Sequence, residues 1–312
     1  MRRLHLVASS RGMKFGAPVQ SYLCSTSTEQ DTSAGNVVVK ECPLDGVCLL
    51  EMSLPKTNAL SSSLMSRLLV AINEVCDPEK GFHQGIILTS NTPWNFCGDF
   101  DIQALCKCSS QDEFNLYYEK LQTLFTTLHS LPIPMMVAIN GHALSGGSIL
   151  ALAADYRIMV NSHPTEDKPF MIGMPTSHYG MRVSPYMAGS LDHVVGFRKA
   201  EALLVDGSLL TAEEALTCGL VDETIGTPDE AILRCLVEME RYIKMPSFVP
   251  YWIIKDAFRK KLLAPLCTQA LRTADMINAY NMLQFPGVRK NLELSMKSHN
   301  KDSEKTFSGP NQ

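Results

Sequence analysis

Two short, unbroken apolar runs, Gly85-Ile86-Ile87-Leu88-Thr89 and Met135-Met136-Val137-Ala138-Ile139, each sit between stretches with helical patterning. Runs of this length that do not alternate with polar residues fit strands covered on both faces, as parallel sheets require. Val37–Lys40 and Gly46–Met52 read as two further β runs around a turn at Pro43-Leu44-Asp45, and Tyr156–Val160 reads as another strand. Pro55-Lys56-Thr57-Asn58-Ala59 breaks the pattern, after which Ser61 or Ser62 can cap a helix whose Leu64, Leu68, Leu69 and Ile72 recur at helical spacing. Phe114–Leu131 is helical and stops at Leu131-Pro132-Ile133-Pro134, and Gly146–Ala154 is a helix of small residues. Strands alternating with helices predict βα units and a largely parallel sheet.

Further along, Thr211-Ala212-Glu213-Glu214 is a capping box opening a helix that ends near Gly219. Beyond Asp229 only helices are expected. The organisation read from the chain is a leader over residues 1–30, an α/β core over 37–230, a helical region over 231–300 and a polar tail over 301–312.

A chain of 312 residues with 45% apolar content has enough material for one large core or two smaller ones. A net charge of -4 with 19% charged residues gives no bulk electrostatic case for nucleic acid. The ten cysteines are scattered, and Cys106-Lys107-Cys108 lacks a second half at zinc spacing, so no metal is expected and reduced thiols are. Before Glu29 there is no acidic residue, while Arg2, Arg3, Arg11 and Lys14 stand among serines. That composition predicts a mitochondrial presequence, with an ordinary disordered leader as the alternative. Gly309-Pro310-Asn311-Gln312 is not a peroxisomal tripeptide signal, and no run of about 18 apolar residues predicts a membrane span.

The stretch richest in chemistry is Val137-Ala138-Ile139-Asn140-Gly141-His142-Ala143-Leu144-Ser145-Gly146-Gly147-Ser148. A buried strand runs into a glycine turn from which a helix starts, leaving free backbone N–H groups for an anion or a developing oxyanion. It is neither a P-loop nor a G-x-G-x-x-G turn. Ser145 is not a nucleophile elbow either, since position 143 is Ala. Close helix–strand packing accounts equally well for the small residues taken alone.

Upstream, the strand at Gly85–Thr89 leads into Trp94-Asn95-Phe96-Cys97-Gly98-Asp99-Phe100-Asp101-Ile102. With Pro55–Ser61 and Gly219-Leu220-Val221-Asp222-Glu223, the two turns resemble the crotonase (enoyl-CoA hydratase/isomerase) superfamily over residues 37–300, nearest to its mitochondrial Δ3,Δ2-enoyl-CoA isomerases. The resemblance implies a spiral core of ββα units, a helical C-terminal trimerisation region and a homotrimer in the mitochondrial matrix. It implies an acyl-CoA substrate with no separate cofactor, and a double-bond shift serving β-oxidation of unsaturated fatty acids. It also implies an oxyanion hole made by the Gly98 and Gly146 N–H groups, with Asp99, Phe100, Asp101, Ile102 and Pro175 along the substrate. Such donors stabilise the enolate left when a proton leaves the α- or γ-carbon, typically by several kcal/mol. Basic C-terminal groups commonly meet the CoA phosphates in this family; Lys255, Arg259, Lys260 and Lys261 form such a cluster here, with a solvated helix face as the alternative.

Three positions depart from the family pattern. Gly98 stands for the usual alanine, and Asp99 for a glycine whose unusual dihedrals Asp tolerates comparatively well. Ile149 occupies the position of the hydratases' glutamate, which argues against hydration and for isomerisation. The isomerases' single catalytic glutamate maps onto Thr176, between Pro175 and Gly180. A threonine hydroxyl is no base near neutral pH, and losing a general base costs about 10²–10⁴-fold. Three readings follow: a substitute base from His178, Asp99 or Tyr179; a carboxylate from the lengthened loop 161–169, with Glu166 and Asp167; or a catalytically degenerate CoA-binding or structural subunit.

Overall fold

The computed structural model describes residues 36–294 apart from Pro55, Lys56, Pro78, Lys80, Gly81 and Phe82. The expected leader and tail lie outside the described residues. Six strands form the main sheet, in the order β1 (Asn36–Glu41), β2 (Val47–Ser53), β3 (Gly85–Ser90), β5 (Met135–Ile139), β7 (Tyr156–Val160) and β10 (Glu223–Ile225). Only β1–β2 is antiparallel. β3 and β5 are buried along their whole length, as their unbroken apolar runs predict.

A second sheet was not foreseen. It consists of β4 (Asn95–Cys97), β6 (His142–Leu144), β8 (Met171–Gly173) and β9 (Leu209–Thr211), in that order. Each of these strands has three residues, too few for a periodic signal in sequence.

The helices are α1 (Ser62–Cys76), α2 (Ile102–Lys107), α3 (Gln111–His129), α4 (Gly146–Leu152), α5 (Pro185–Val195), α6 (Phe197–Asp206), α7 (Ala212–Thr217), α8 (Pro228–Ile243), α9 (Phe248–Leu263) and α10 (Gln269–Leu283). A further helical stretch covers residues 286–294. Ser61, not Ser62, caps α1, its Oγ accepting the Leu64 N–H at 3.2 Å. The Thr211–Glu214 capping box is formed, and a second box at Thr227–Glu230 opens α8. Past Pro228 the described residues hold helices and no strand.

One buried carboxylate fastens the helical region to the sheet. Asp155, which leads into β7, accepts from Lys255 at 2.8 Å, from Arg259 at 3.0 Å, from the Tyr251 hydroxyl at 2.7 Å and from the Met135 N–H at 2.8 Å. Burial works against the Asp155 charge, but the two cations overcome it and hold the carboxyl below its ordinary range. Burial also pushes the Lys255 ammonium down to about 8, with Asp155 opposing the shift. Lys255 and Arg259 are therefore internal clamps and not phosphate ligands; Lys260 and Lys261, on the same helix, face solvent.

Candidate active site

The second sheet explains why three distant segments meet. β4 pairs in parallel with β6, and β6 in parallel with β8. The chain leaves the C-terminal ends of these strands at Gly98, at Ser145-Gly146 and at Met174-Pro175-Thr176, so all three exits lie at one end of the sheet. The turns also touch: a Cβ added at Gly146 would come within 2.9 Å of the Leu60 Cβ and 3.1 Å of the Asp99 carbonyl oxygen. Leu60 closes the group, its N–H donating to the Asp99 carbonyl at 2.8 Å.

Gly146 is the first residue of α4, so its N–H has no acceptor within the helix. α4 is only seven residues long, so it offers these first N–H groups more than a sizeable dipole. Ser145, just before it, holds φ 40° and ψ -93°, a costly conformation for a residue with a side chain, and its buried Oγ has no hydrogen-bond partner. The Ser145 N–H donates to the Gly173 carbonyl at 2.8 Å, tying the turn to β8.

Gly98 differs from the expectation. Its N–H donates to the Thr57 carbonyl at 2.8 Å, so it is engaged within the chain and not directed at open space. Its glycine identity matters as well: a Cβ there would stand 2.9 Å from the Thr57 Cβ. Asp99 does not adopt positive φ; that burden falls on Ser145. The Asp99 Oδ1 accepts the following Phe100 N–H at 2.7 Å, which shapes the turn. Asp101 caps α2 by accepting from Ala104 at 2.9 Å, and Ile102 is buried as its first residue.

Pro175 and Thr176 open a short 3₁₀ turn, Pro175–Tyr179, and both are buried. Thr176 is 6% exposed, and its Oγ1 has no hydrogen-bond partner. It faces a cavity of about 30 Å³ whose wall also includes Phe100, Tyr117, Tyr118, Arg182 and Ala279. Among the described residues no carboxylate lines that cavity.

None of the candidate substitutes for the missing glutamate, His178, Asp99, Tyr179 and Glu166, is part of that cavity wall. His178 is exposed, and its Nε2 is hydrogen-bonded to the Asp206 carbonyl oxygen at 2.8 Å. Glu166 is exposed and pairs with Lys168 at 2.6 Å, in a loop whose His163 stacks on Trp94 with ring centroids 3.6 Å apart. That loop precedes β8 whereas Thr176 follows it, so Glu166 lies at the far end of the strand. Tyr179, half-buried, ends the 3₁₀ turn and is not part of the cavity wall.

Sequence reading missed Tyr117 and Tyr118 on α3, Arg182, and the α10 residues behind them. The available signal was the stripe Phe114, Tyr117, Tyr118, Leu121, which is one helix face. Among the described residues, Glu41, Cys48 and His83 bring potential metal-ligand atoms within 4.8 Å of one another, at the N-terminal ends of β2 and β3, away from the site.

The chain and its fold are matched by known proteins. The model of the enoyl-CoA hydratase/isomerase family matches residues 44–290. The chain belongs to the enoyl-CoA hydratase/isomerase family. Human mitochondrial enoyl-CoA delta isomerase 1 is 28% identical over 251 residues, covering 80% of this chain and 78% of its own. The crystal structure of human mitochondrial delta3-delta2-enoyl-CoA isomerase superposes with a TM-score of 0.77 at 24% identity, over 86% of this chain and 99% of that one. An enoyl-CoA hydratase from Bacillus halodurans gives 0.69 at 21% identity, over 83% of this chain and 99% of that one. The expected crotonase-type α/β fold with its helical C-terminal region is the fold found.

Proposed function

We propose that this family member binds acyl-CoA thioesters and shifts a Δ3 double bond to Δ2, in the manner of a Δ3,Δ2-enoyl-CoA isomerase of unsaturated fatty-acid β-oxidation. The observation that carries the reading is the meeting of the Gly98 and Gly146 turns, delivered by adjacent parallel strands, beside the cavity that holds Thr176. Ile149 in place of the hydratases' glutamate supports isomerisation over hydration.

Mechanistically, the substrate thioester oxygen takes the Gly146 N–H and competes with the Thr57 carbonyl for the Gly98 N–H. The enolate formed when a proton leaves C2 is then stabilised by both donors. Phe100 and Thr176 flank the acyl chain, and Asp101 and Ile102 fix the turn through α2. At about 30 Å³ the cavity has room for no more than a water or two, well below the ~300 Å³ of typical ligand pockets, so acyl entry requires its walls to move.

A homotrimer in the mitochondrial matrix belongs to the same proposal. It is supported by the outward face of α9, where Val249, Trp252, Ile253, Ile254 and Phe258 are exposed together, and by the mitochondrial relative. No helix among the described residues is long and apolar enough to cross a membrane. A second reading, a catalytically degenerate CoA-binding subunit, is favoured by one observation, the cavity wall without a carboxylate. Calorimetry with acyl-CoA of several chain lengths tests binding, and absence of heat at all of them contradicts both readings. Spectrophotometric conversion of 3-enoyl-CoA to 2-enoyl-CoA then separates them.

A further inference from the structure

One residue of the cavity that Thr176 faces leads to a buried carboxylate. Tyr118 lines the cavity; its hydroxyl lies 2.5 Å from the Ser184 Oγ, and the Ser184 Oγ donates to the Asp275 Oδ1 at 2.9 Å. All three residues are at least nine-tenths buried, at 7%, 1% and 7% exposure. Ser184 is the N-cap residue of α5, yet its side chain caps nothing there; it turns to Asp275 instead. Gln122 donates to the other Asp275 oxygen at 3.2 Å, and Arg182 approaches Oδ1 at 3.4 Å, so every partner of this carboxylate donates to its ionised form.

The direction of the chain follows from counting protons. A carboxylate only accepts, so the single Ser184 proton points at Asp275. Ser184 can then only accept from Tyr118, and the Tyr118 proton points away from the cavity. The Tyr118 oxygen keeps its lone pairs as acceptors, and the buried Tyr186 hydroxyl beside it competes for one of them. Burial, then the Asp275 charge, pushes the Tyr118 phenol up, so it stays protonated and acts as a conduit, not as a standing phenolate.

We infer that Tyr118, Ser184 and Asp275 form a proton relay that replaces the glutamate absent at Thr176. The inference rests on the isomerase reading above. When the substrate C2–H bond breaks, its electron pair passes into the enolate and its proton goes to the Tyr118 oxygen. The Tyr118 proton moves to Ser184, the Ser184 proton moves to Asp275, and Asp275 becomes the neutral acid. The reverse sequence delivers a proton to C4 as the double bond settles between C2 and C3. No proton is gained or lost overall, and no co-reactant is needed. Tyr118 is the group that touches substrate; Ser184 and Asp275 act through it.

The test compares wild type, Ser184→Ala, Ser184→Thr, Tyr118→Phe and Asp275→Asn for 3-enoyl-CoA turnover and for C2 proton exchange of a saturated acyl-CoA in D₂O. Acyl-CoA affinity is measured in parallel. The relay predicts that Ser184→Ala and Tyr118→Phe lose at least about 100-fold in kcat and in exchange, at nearly unchanged affinity. Ser184→Thr, which keeps a hydroxyl, retains most of the rate. Asp275→Asn removes a buried charge, so if it does not fold, the Ser184 pair decides. Full exchange in Ser184→Ala, or wild type that binds acyl-CoA without exchanging its C2 protons, overturns the relay and leaves the binding reading standing. Wild type that binds no acyl-CoA overturns both.

Discussion

Ser145 and Gly173 are joined by a 2.8 Å hydrogen bond from the serine N–H to the glycine carbonyl, which fixes the start of α4 to the strand that ends before Thr176. The Ser148 hydroxyl reinforces the link, accepting the Gly173 N–H at 3.0 Å and lying 2.7 Å from the Ala143 carbonyl oxygen. Replacing Ser148 by Ala leaves the half-buried Gly173 N–H without that partner. The expected cost is about 1–3 kcal/mol in urea unfolding, with a drop in kcat from the loosened turn. A variant with unchanged stability and rate would show that the turn is held by other means.

Gly98→Ala, which restores the family's usual residue at this position, is expected to be harmful here. The added methyl meets the Thr57 Cβ at 2.9 Å and crowds the Thr57 carbonyl at 3.2 Å, so the turn must shift. Overpacking of this kind costs about 1–3 kcal/mol. Thermal unfolding checks the stability, and calorimetry should show weakened acyl-CoA binding.

Asp155→Asn tests the clamp on the helical region. It leaves Lys255 and Arg259 buried with reduced compensation, and breaking a buried pair typically costs 3–5 kcal/mol. The sign of the pH dependence follows from the lowered Asp155 pKa. A carboxyl whose folded value lies below its ordinary 3.8 contributes stability that is complete above that value and is lost as the pH falls through the folded value. The stability gap between wild type and Asp155→Asn is therefore expected to be flat above about pH 5 and to shrink below pH 3.8. Urea midpoints measured across that range check it.

How much of this was legible depends on how local each signal is. β7 was read with its observed bounds, Tyr156–Val160, because a strand core between turn residues carries its own signature. The Thr211–Glu214 box was equally readable, since both of its bonds lie within four residues. β4, β6 and β8 have no such signature; they exist because distant segments pair, and they are what gathers Gly98, Gly146 and Thr176. The Tyr118–Ser184 and Ser184–Asp275 contacts join residues 66 and 91 positions apart, so no spacing rule could pair them. The paired glycine turns pointed to the family. The occupation of the Gly98 N–H by Thr57, and the inward turn of Lys255 and Arg259, needed the packed structure.

The exposed face of α9 gives an assembly prediction. Phe258 is 69% exposed on a helix that also exposes Trp252 and Ile254. Phe258→Glu places a charge on that face and is expected to convert a trimer into monomers in analytical ultracentrifugation, with little change in the fold by circular dichroism. Wild type sedimenting as a monomer at micromolar concentration contradicts the trimer.

The most direct measurement of the central claim is the steady-state conversion of 3-enoyl-CoA by wild type, Thr176→Val and Thr176→Glu, each first shown to bind acyl-CoA. A threonine that is not the base can lose its hydroxyl at little cost. The account therefore predicts clear wild-type turnover, with Thr176→Val within a few-fold of it. Wild type at background, together with a rate gained only in Thr176→Glu, would mean that the donors survive without any base, contradicting both the isomerase assignment and the Tyr118–Ser184–Asp275 relay.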